Sequence, residues 1–274
     1  MPRSIITVPV IAALLALTSS VSACRPSPPD ATAESWLCQT QEKPFKYSVC
    51  RINATALTDN DATHSDYALK LFWQETDNET PLLTFDKLLS ALPSSQTLAF
   101  AMNAGMYNER YAPIGYTVIE GKEIRALNLN EGGGNFHLLP NGVMWWDKAG
   151  QVQITESHAL QQQLNDGSAK PWFATQSGPM LVINNEIHPK LNPAGTSAKF
   201  RNGAGVCSDG SIQFVNSNEP VTFYQFASLF KDDLQCQNAL FLDGGIASAL
   251  YAPTIDKHDK KEMGVMIGVV ATKE

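Results

Sequence analysis

Period-two alternation runs through most of this chain. In Tyr67-Ala68-Leu69-Lys70-Leu71-Phe72-Trp73 the odd positions are large and apolar, as a strand with one buried face requires. Residues 45–52, 97–102, 115–119, 152–155, 178–183, 212–215, 239–242 and 264–270 also read as strands. Helical spacing is confined to 84–92, 156–164 and 222–230. Leu88, Leu89 and Leu92 form a core-facing stripe on the first of these, and Thr222 caps the last, whose start Pro220 limits. Many strands, few short helices and no regular strand–helix alternation predict an α+β fold. It is a single domain on a mostly antiparallel or mixed sheet.

The N-terminus departs from this pattern. Residues 1–23 read as a secretory signal, with Arg3 as the positive end and an apolar stretch at 5–17 too short to span a membrane comfortably. Val21-Ser22-Ala23-Cys24 resembles a bacterial lipobox, which would make Cys24 the lipidated N-terminus. The plainer alternative is ordinary cleavage near Ala23, with Cys24 a stray thiol. Residues 24–37, including Arg25-Pro26-Ser27-Pro28-Pro29-Asp30, read as a flexible tether. Arg25 after the cysteine, in place of Asp, points to the outer membrane of a Gram-negative host, facing the periplasm. Residues 38–274 carry no second linker, repeat or low-complexity block and read as one domain.

Composition narrows the function classes. The 274 residues are 43% hydrophobic, enough for a sizeable core and too much for a disordered chain. A net charge of −7, with no Lys/Arg block, argues against nucleic acid as a partner. Contact with a membrane is expected through the lipid anchor alone, and the oligomeric state is not legible. Setting Cys24 aside leaves four of the five cysteines, an even set that favours disulfides in an exported chain. Of the three pairings, Cys38–Cys50 with Cys207–Cys236 joins sequence-near segments and is preferred.

Five glycine-rich polar segments interrupt the strands: 102–107, 132–137, 176–179, 201–205 and 242–248. Asp243 is the least easily explained as structure. It follows the apolar run Ala239-Leu240-Phe241-Leu242, so it emerges at a strand end. Gly244-Gly245 then turns the chain and presents backbone N–H groups suited to an anion, with Ser248 on the next turn. Plainer readings stand beside the others. His137 suits a core histidine, Asn135 and Ser177 suit turn caps, and Arg201 suits an exposed cation or a buried ion pair with Asp243. Tyr107, Trp145 and Trp146 suit either sugar stacking or core packing, and adjacent Trp145 and Trp146 must face opposite sides of a strand. Asp59-Asn60-Asp61 with His64 and Asp66 reads as a solvated turn, so no metal site is assigned.

These segments resemble the phosphodiester glycosidase family. The resemblance rests on Asn103-Ala104-Gly105-Met106-Tyr107, Gly134-Asn135-Phe136-His137 with Pro140-Asn141-Gly142, Ser177-Gly178-Pro179, Arg201-Asn202-Gly203-Ala204-Gly205 and Leu242-Asp243-Gly244-Gly245 with Ser248. It spans about residues 97–270, and its departure is Ile246, where the family commonly has a small residue. It implies hydrolysis of a sugar-1-phosphodiester to a free sugar and a phosphomonoester. Phosphate, with a second pKa of about 6, leaves more readily than an alkoxide, so one strong acid is dispensable. Asp243 would be nucleophile or base, Arg201 a two-pronged phosphate clamp, and His137 the donor to the departing phosphate. Asn103, Asn135 and Ser177 would bind sugar hydroxyls or hold the carboxylate. Gly105, Gly178, Gly244, Gly245 and Ser248 would line the substrate and phosphate site. No cofactor is required, with a divalent cation left open. The competing readings are a phosphoglycan-binding lipoprotein without catalysis and a phosphodiesterase that cuts P–O.

Overall fold

Apolar alternation, helix caps and buried glycines account for most of the elements in the computed structural model. It describes Met1 and residues 36–57, 67–75 and 79–273. The leader, Cys24 and nearly all of the tether lie outside the described residues, as do Asp59–Asp61, His64 and Asp66. Residues Glu34–Glu274 form one compact unit. The early strands are β1 (Trp36–Gln41), β2 (Tyr47–Asn53), β3 (Tyr67–Phe72), β4 (Gln96–Asn103), β5 (Thr117–Ile119) and β6 (Lys122–Arg125). Then come β7 (Gly142–Trp146), β8 (Val152–Glu156), β9 (Phe173–Ser177), β10 (Met180–Ile183), β11 (Glu186–Ile187) and β12 (Asn202–Cys207). The last are β13 (Ser211–Ser217), β14 (Cys236–Phe241), β15 (Leu250–Ala252), β16 (Lys257–His258) and β17 (Met266–Thr272).

The strands make three sheets, not the one sheet expected from the alternation. Their orders are β1-β2-β13-β12-β14-β10-β11, β16-β15-β4-β17-β3 and β6-β5-β9-β7-β8. Every strand pairing among the described residues is antiparallel, which decides between the antiparallel and mixed alternatives.

A shared core takes one face from each sheet, through residues such as Ile52 and Phe214, Leu69, Leu71 and Phe100, and Met144 and Trp146. The other face of each sheet is covered by one short helix. Helix α1 (Phe85–Ala91) starts at Thr84, whose hydroxyl accepts from the Lys87 N–H, and it turns Phe85 and Leu88 inward. Helix α2 (Ser157–Asn165) is capped by the Glu156 carboxylate, and Leu160 packs against Trp145 of β7. Helix α3 (Phe223–Ser228) has a capping box between Thr222 and Gln225, and a π turn over Leu229–Asp233 extends it. Trp145 and Trp146 do face opposite sides of β7, both buried in core.

The disulfides join Cys38 to Cys50 across β1 and β2, and Cys207 to Cys236 across β12 and β14, which is the preferred pairing. Disulfides suit an oxidising compartment, and no helix among the described residues is long and apolar enough to cross a membrane.

One segment expected as loop is strand. Residues 202–205 belong to β12, whose glycines hide the alternation while serving the packing. A Cβ on Gly203 would lie 3.1 Å from the Phe226 ring, and one on Gly205 would lie 2.8 Å from Phe230 and 2.7 Å from the Cys236 sulfur. The bare backbone is what lets the aromatic residues of α3 and its extension settle on the sheet. Strands β7 and β9 escaped notice for another reason, since all their residues are buried, Thr175, Gln176 and Ser177 of β9 included, so neither alternates between a buried and an exposed side.

Gly203→Ala is therefore expected to cost about 1–3 kcal/mol through overpacking. Gly133→Ala, where a Cβ meets nothing within 4 Å, should stay within about 0.5 kcal/mol of the parent. Urea midpoints check the pair, and equal midpoints would contradict the packing account.

Candidate active site

The site forms where strands from all three sheets end together. In the first sheet β14 stops at Phe241 between the starts of β12 and β10. The Leu242 N–H donates to the Asn202 carbonyl (3.0 Å) and the Phe241 N–H to that of Pro179 (3.1 Å). The second sheet contributes the end of β4, where the Ala104 carbonyl accepts from the Asp243 N–H at 3.0 Å. The third contributes β9, whose Thr175 hydroxyl accepts from the Gly105 N–H at 3.0 Å. A side chain at Gly105 would collide with the Gln176 carbonyl, so glycine allows this close approach.

Asn103 locks the junction. Its amide nitrogen donates to the Asp243 carbonyl, and its oxygen accepts from the Asn202 amide (2.9 Å) and the Ala249 N–H (3.0 Å). It is fully buried, so it holds the Asp243 backbone and not the carboxylate. The Asp243 carboxyl itself has no hydrogen-bond or ion-pair partner among the described residues. Burial away from water pushes its pKa up to about 7. A carboxyl so poised exchanges a proton near neutral pH.

Tyr107 stands nearby. Burial first, then the charges of Asp243 and Glu262 with Tyr111 beside them, pushes its pKa up to about 12, so it keeps its proton. Its ring stacks on Tyr111 at 5.6 Å, and the Tyr111 hydroxyl donates to Glu262 at 2.6 Å. Tyr107 is close enough to feel the Asp243 charge, whereas both tryptophans pack into core. Tyr111 and Glu262 were missed, because neither lies in a motif and only the fold brings them to Tyr107.

Arg201 is 3% exposed, which corrects the expectation of an exposed cation. Its Nε donates to the Val221 carbonyl (2.8 Å) and one Nη2 N–H to that of Ser197 (3.1 Å). The guanidinium lies 3.5 Å from the Phe223 ring centre and 5.6 Å from that of Phe241, whose edge touches Gly244. No carboxylate pairs with it among the described residues, so the ion pair with Asp243 is not formed. Burial alone brings its pKa down to about 10, and it remains a cation. The Nη1 group and the second Nη2 N–H are its remaining donors.

The glycine turn is half as open as expected. The Gly245 N–H donates to the Phe200 carbonyl (2.8 Å), while that of Gly244 has no partner among the described residues. Ser248 is buried, and its hydroxyl accepts from the Asn216 amide at 2.9 Å.

On the other side of β14, Gly178 packs tightly against Asn141 and the carbonyls of Asn135 and Phe136. The Ser177 hydroxyl and the Asn141 and Asn202 amide oxygens are buried without partners. Asn135 is exposed. His137 has Nδ1 2.7 Å from the Asn130 carbonyl, which fixes the proton there and leaves Nε2 for another partner. Gly132 packs on its ring, and no hydrogen bond or ion pair joins it to Asp243. Among the described residues, no three His, Cys, Asp or Glu side chains group to hold a metal ion.

Residues 96–270, well over half of the chain, match the sequence model of the family described as phosphodiester glycosidase. An uncharacterized protein of Escherichia coli K12, YigE, is 36% identical over 181 residues, covering 65% of this chain and 68% of its own. The catalytic domain of zebrafish N-acetylglucosamine-1-phosphodiester alpha-N-acetylglucosaminidase, auto-inhibited by its pro-peptide, is similar in fold. Its TM-score is 0.59 at 11% identity, over 89% of this chain and 86% of that one. A hypothetical protein from Synechocystis has a TM-score of 0.56 at 13% identity, over 86% of this chain and 62% of that one.

The Asp243 shift has a consequence for stability. Its folded pKa lies above the unfolded value, so the folded state is favoured most below about pH 4 and loses that advantage as pH rises to about 7. Between pH 4.5 and 7.5 the parent should lose roughly 2–4 kcal/mol more than Asp243→Asn. Urea unfolding at the two pH values checks this, and parallel changes in the two proteins would contradict it.

Proposed function

We propose that this chain, which belongs to the phosphodiester glycosidase family, hydrolyses a sugar-1-phosphodiester, releasing the sugar and leaving a phosphomonoester on the other alcohol. The observation that carries the reading is that a half-buried Asp243 carboxyl and a buried Arg201 cation sit at the adjoining ends of β14 and β12 without an ion-pair partner among the described residues. Asp243 lacks a donor and Arg201 lacks a counter-anion. Burying a charge without a partner is costly, and such costs concentrate where a ligand supplies the missing group. A phosphodiester supplies an anion, and the water that attacks it supplies a proton.

In this reading the Asp243 carboxylate takes a proton from water as the water oxygen bonds to C1 of the sugar. The C1–O bond breaks, and its electrons leave on the phosphate. The monoester is a good leaving group because its second pKa is about 6, so a strong second acid is unnecessary. The remaining Arg201 donors and the Gly244 N–H stabilise the charge gathering on phosphate. His137 Nε2, when protonated, donates to the departing oxygen. The exposed Asn135 suits a sugar hydroxyl, whereas Ser177, Asn141 and Asn202 are fully buried and out of reach of one.

A panel of α-sugar-1-phosphodiesters tests the reading. At least one should turn over, with kcat/KM falling below about pH 7 as Asp243 takes up its proton, and with turnover lost in Asp243→Asn. In ¹⁸O-labelled water the label should enter the sugar. Label in the phosphate would establish P–O cleavage instead, and no turnover on any ester would favour the binding protein. Arg201→Lys should lower kcat/KM at least tenfold by removing the planar donor pair; an unchanged rate would make Arg201 structural.

A further inference from the structure

Tyr111 has a backbone conformation that suits glycine better than tyrosine. Its φ is 60°, in the left-handed region where a bulky residue is strained. Such strain persists where surrounding contacts over-determine it. Here the Tyr111 N–H donates to the Asn108 carbonyl (2.8 Å), and the Asn108 side-chain oxygen accepts from the N–H groups of Arg110 (2.9 Å) and Ala112 (3.2 Å). The Trp73 indole donates to the Tyr111 carbonyl at 2.9 Å. A glycine would take this conformation freely, so what tyrosine adds is a ring and a hydroxyl. Both are engaged: the ring stacks on Tyr107, and the hydroxyl donates to the Glu262 carboxylate at 2.6 Å.

Tyr107 is held from a second direction. A Cβ on Gly264 would lie 2.7 Å from the Tyr107 Cγ, so bare backbone is what admits the ring there. The carbonyl of the next residue, Val265, accepts from the Ala104 N–H (2.8 Å), and the Ala104 carbonyl accepts from the Asp243 N–H (3.0 Å). The Gly264 backbone, the segment leading to Tyr107 and Asp243 therefore meet at Ala104, and Tyr107 feels the Asp243 charge. The Tyr107 hydroxyl has only a long contact, 3.4 Å, to the Glu262 carbonyl, so the turn fixes its ring more firmly than its hydroxyl. Of the cations at the junction, Arg201 and Lys261 donate to backbone carbonyls, and neither pairs with the Asp243 carboxyl among the described residues.

We propose that Tyr111 and Glu262 are positioning residues that hold the Tyr107 ring beside Asp243, where the ring keeps water from the carboxyl. Excluding water disfavours the charged carboxylate, so this brace sets the pH at which Asp243 gives up its proton. Its part in catalysis rests on the hydrolase reading, and its effect on the carboxyl does not.

Carbon NMR titration of the full chain tests the brace, with the Asp243 resonance identified by its loss in Asp243→Asn. Tyr111→Gly removes the ring and relieves the backbone strain. In this variant the Asp243 midpoint should fall from about 7 to below about 6, with an unchanged circular dichroism spectrum. Glu262→Ala should lower it as well. Glu262→Gln keeps an acceptor for the Tyr111 hydroxyl and Tyr107→Phe keeps the ring, so both should leave the midpoint near that of the parent. A midpoint unmoved by Tyr111→Gly, one lowered as far by Glu262→Gln as by Glu262→Ala, or a matching fall in Tyr107→Phe would overturn the brace. The pH at which kcat/KM halves should move down with the midpoint, and a profile that stays in place would remove the brace from catalysis. The expected NMR shifts in a protein that turns over no sugar-1-phosphodiester would overturn the hydrolase reading and leave the brace standing.

Discussion

One buried carboxamide holds the site together. Asn103 ends β4 in the second sheet, yet its amide bonds the Asp243 carbonyl, the Asn202 side chain and the Ala249 N–H. A buried amide left without partners is expensive, whereas each satisfied bond contributes about 1 kcal/mol. That asymmetry allows little alternative geometry. The end of β14 and the start of β12 must meet the end of β4 in one register, and Asp243 must leave the sheet at that point. Gly105 extends the junction to the third sheet, because only a bare backbone approaches Gln176 so closely.

With the backbone so fixed, the polar atoms at the junction need not be paired for the fold to persist. The Asp243 carboxyl, the Arg201 cation, the Gly244 N–H and the Ser177 hydroxyl all retain unused hydrogen-bonding capacity. The shared core, the three helix-covered cores and two disulfides supply the stability that such groups withdraw. The division resembles that of many sites built on rigid scaffolds, where stability is given up locally and recovered elsewhere.

Much of this was legible in the chain. Thr84, Glu156 and Thr222 each sit at the start of a helix in the expected place, because capping is a local matter. The strand at Tyr67–Phe72 shows its alternation for the same reason. Asp243 stood out because an apolar run ends immediately before it. What stayed hidden depends on distant partners. Gly203 and Gly205 look like loop residues until Phe226 and Phe230 are seen against them. Arg201 gives no sign that its Nε faces the Val221 carbonyl, nor Gly245 that its N–H faces Phe200. Tyr111 and Glu262 meet Tyr107 through tertiary contacts that no spacing encodes.

The chemistry of the site depends on Asp243 being a half-buried carboxyl without a partner. Carbon NMR titration of the aspartate carboxyls measures this directly. One resonance should titrate near pH 7 in the parent and be missing in Asp243→Asn. If every aspartate carboxyl titrated below about pH 5, within the ordinary range, Asp243 would be solvated or paired, and the account of the site would fail.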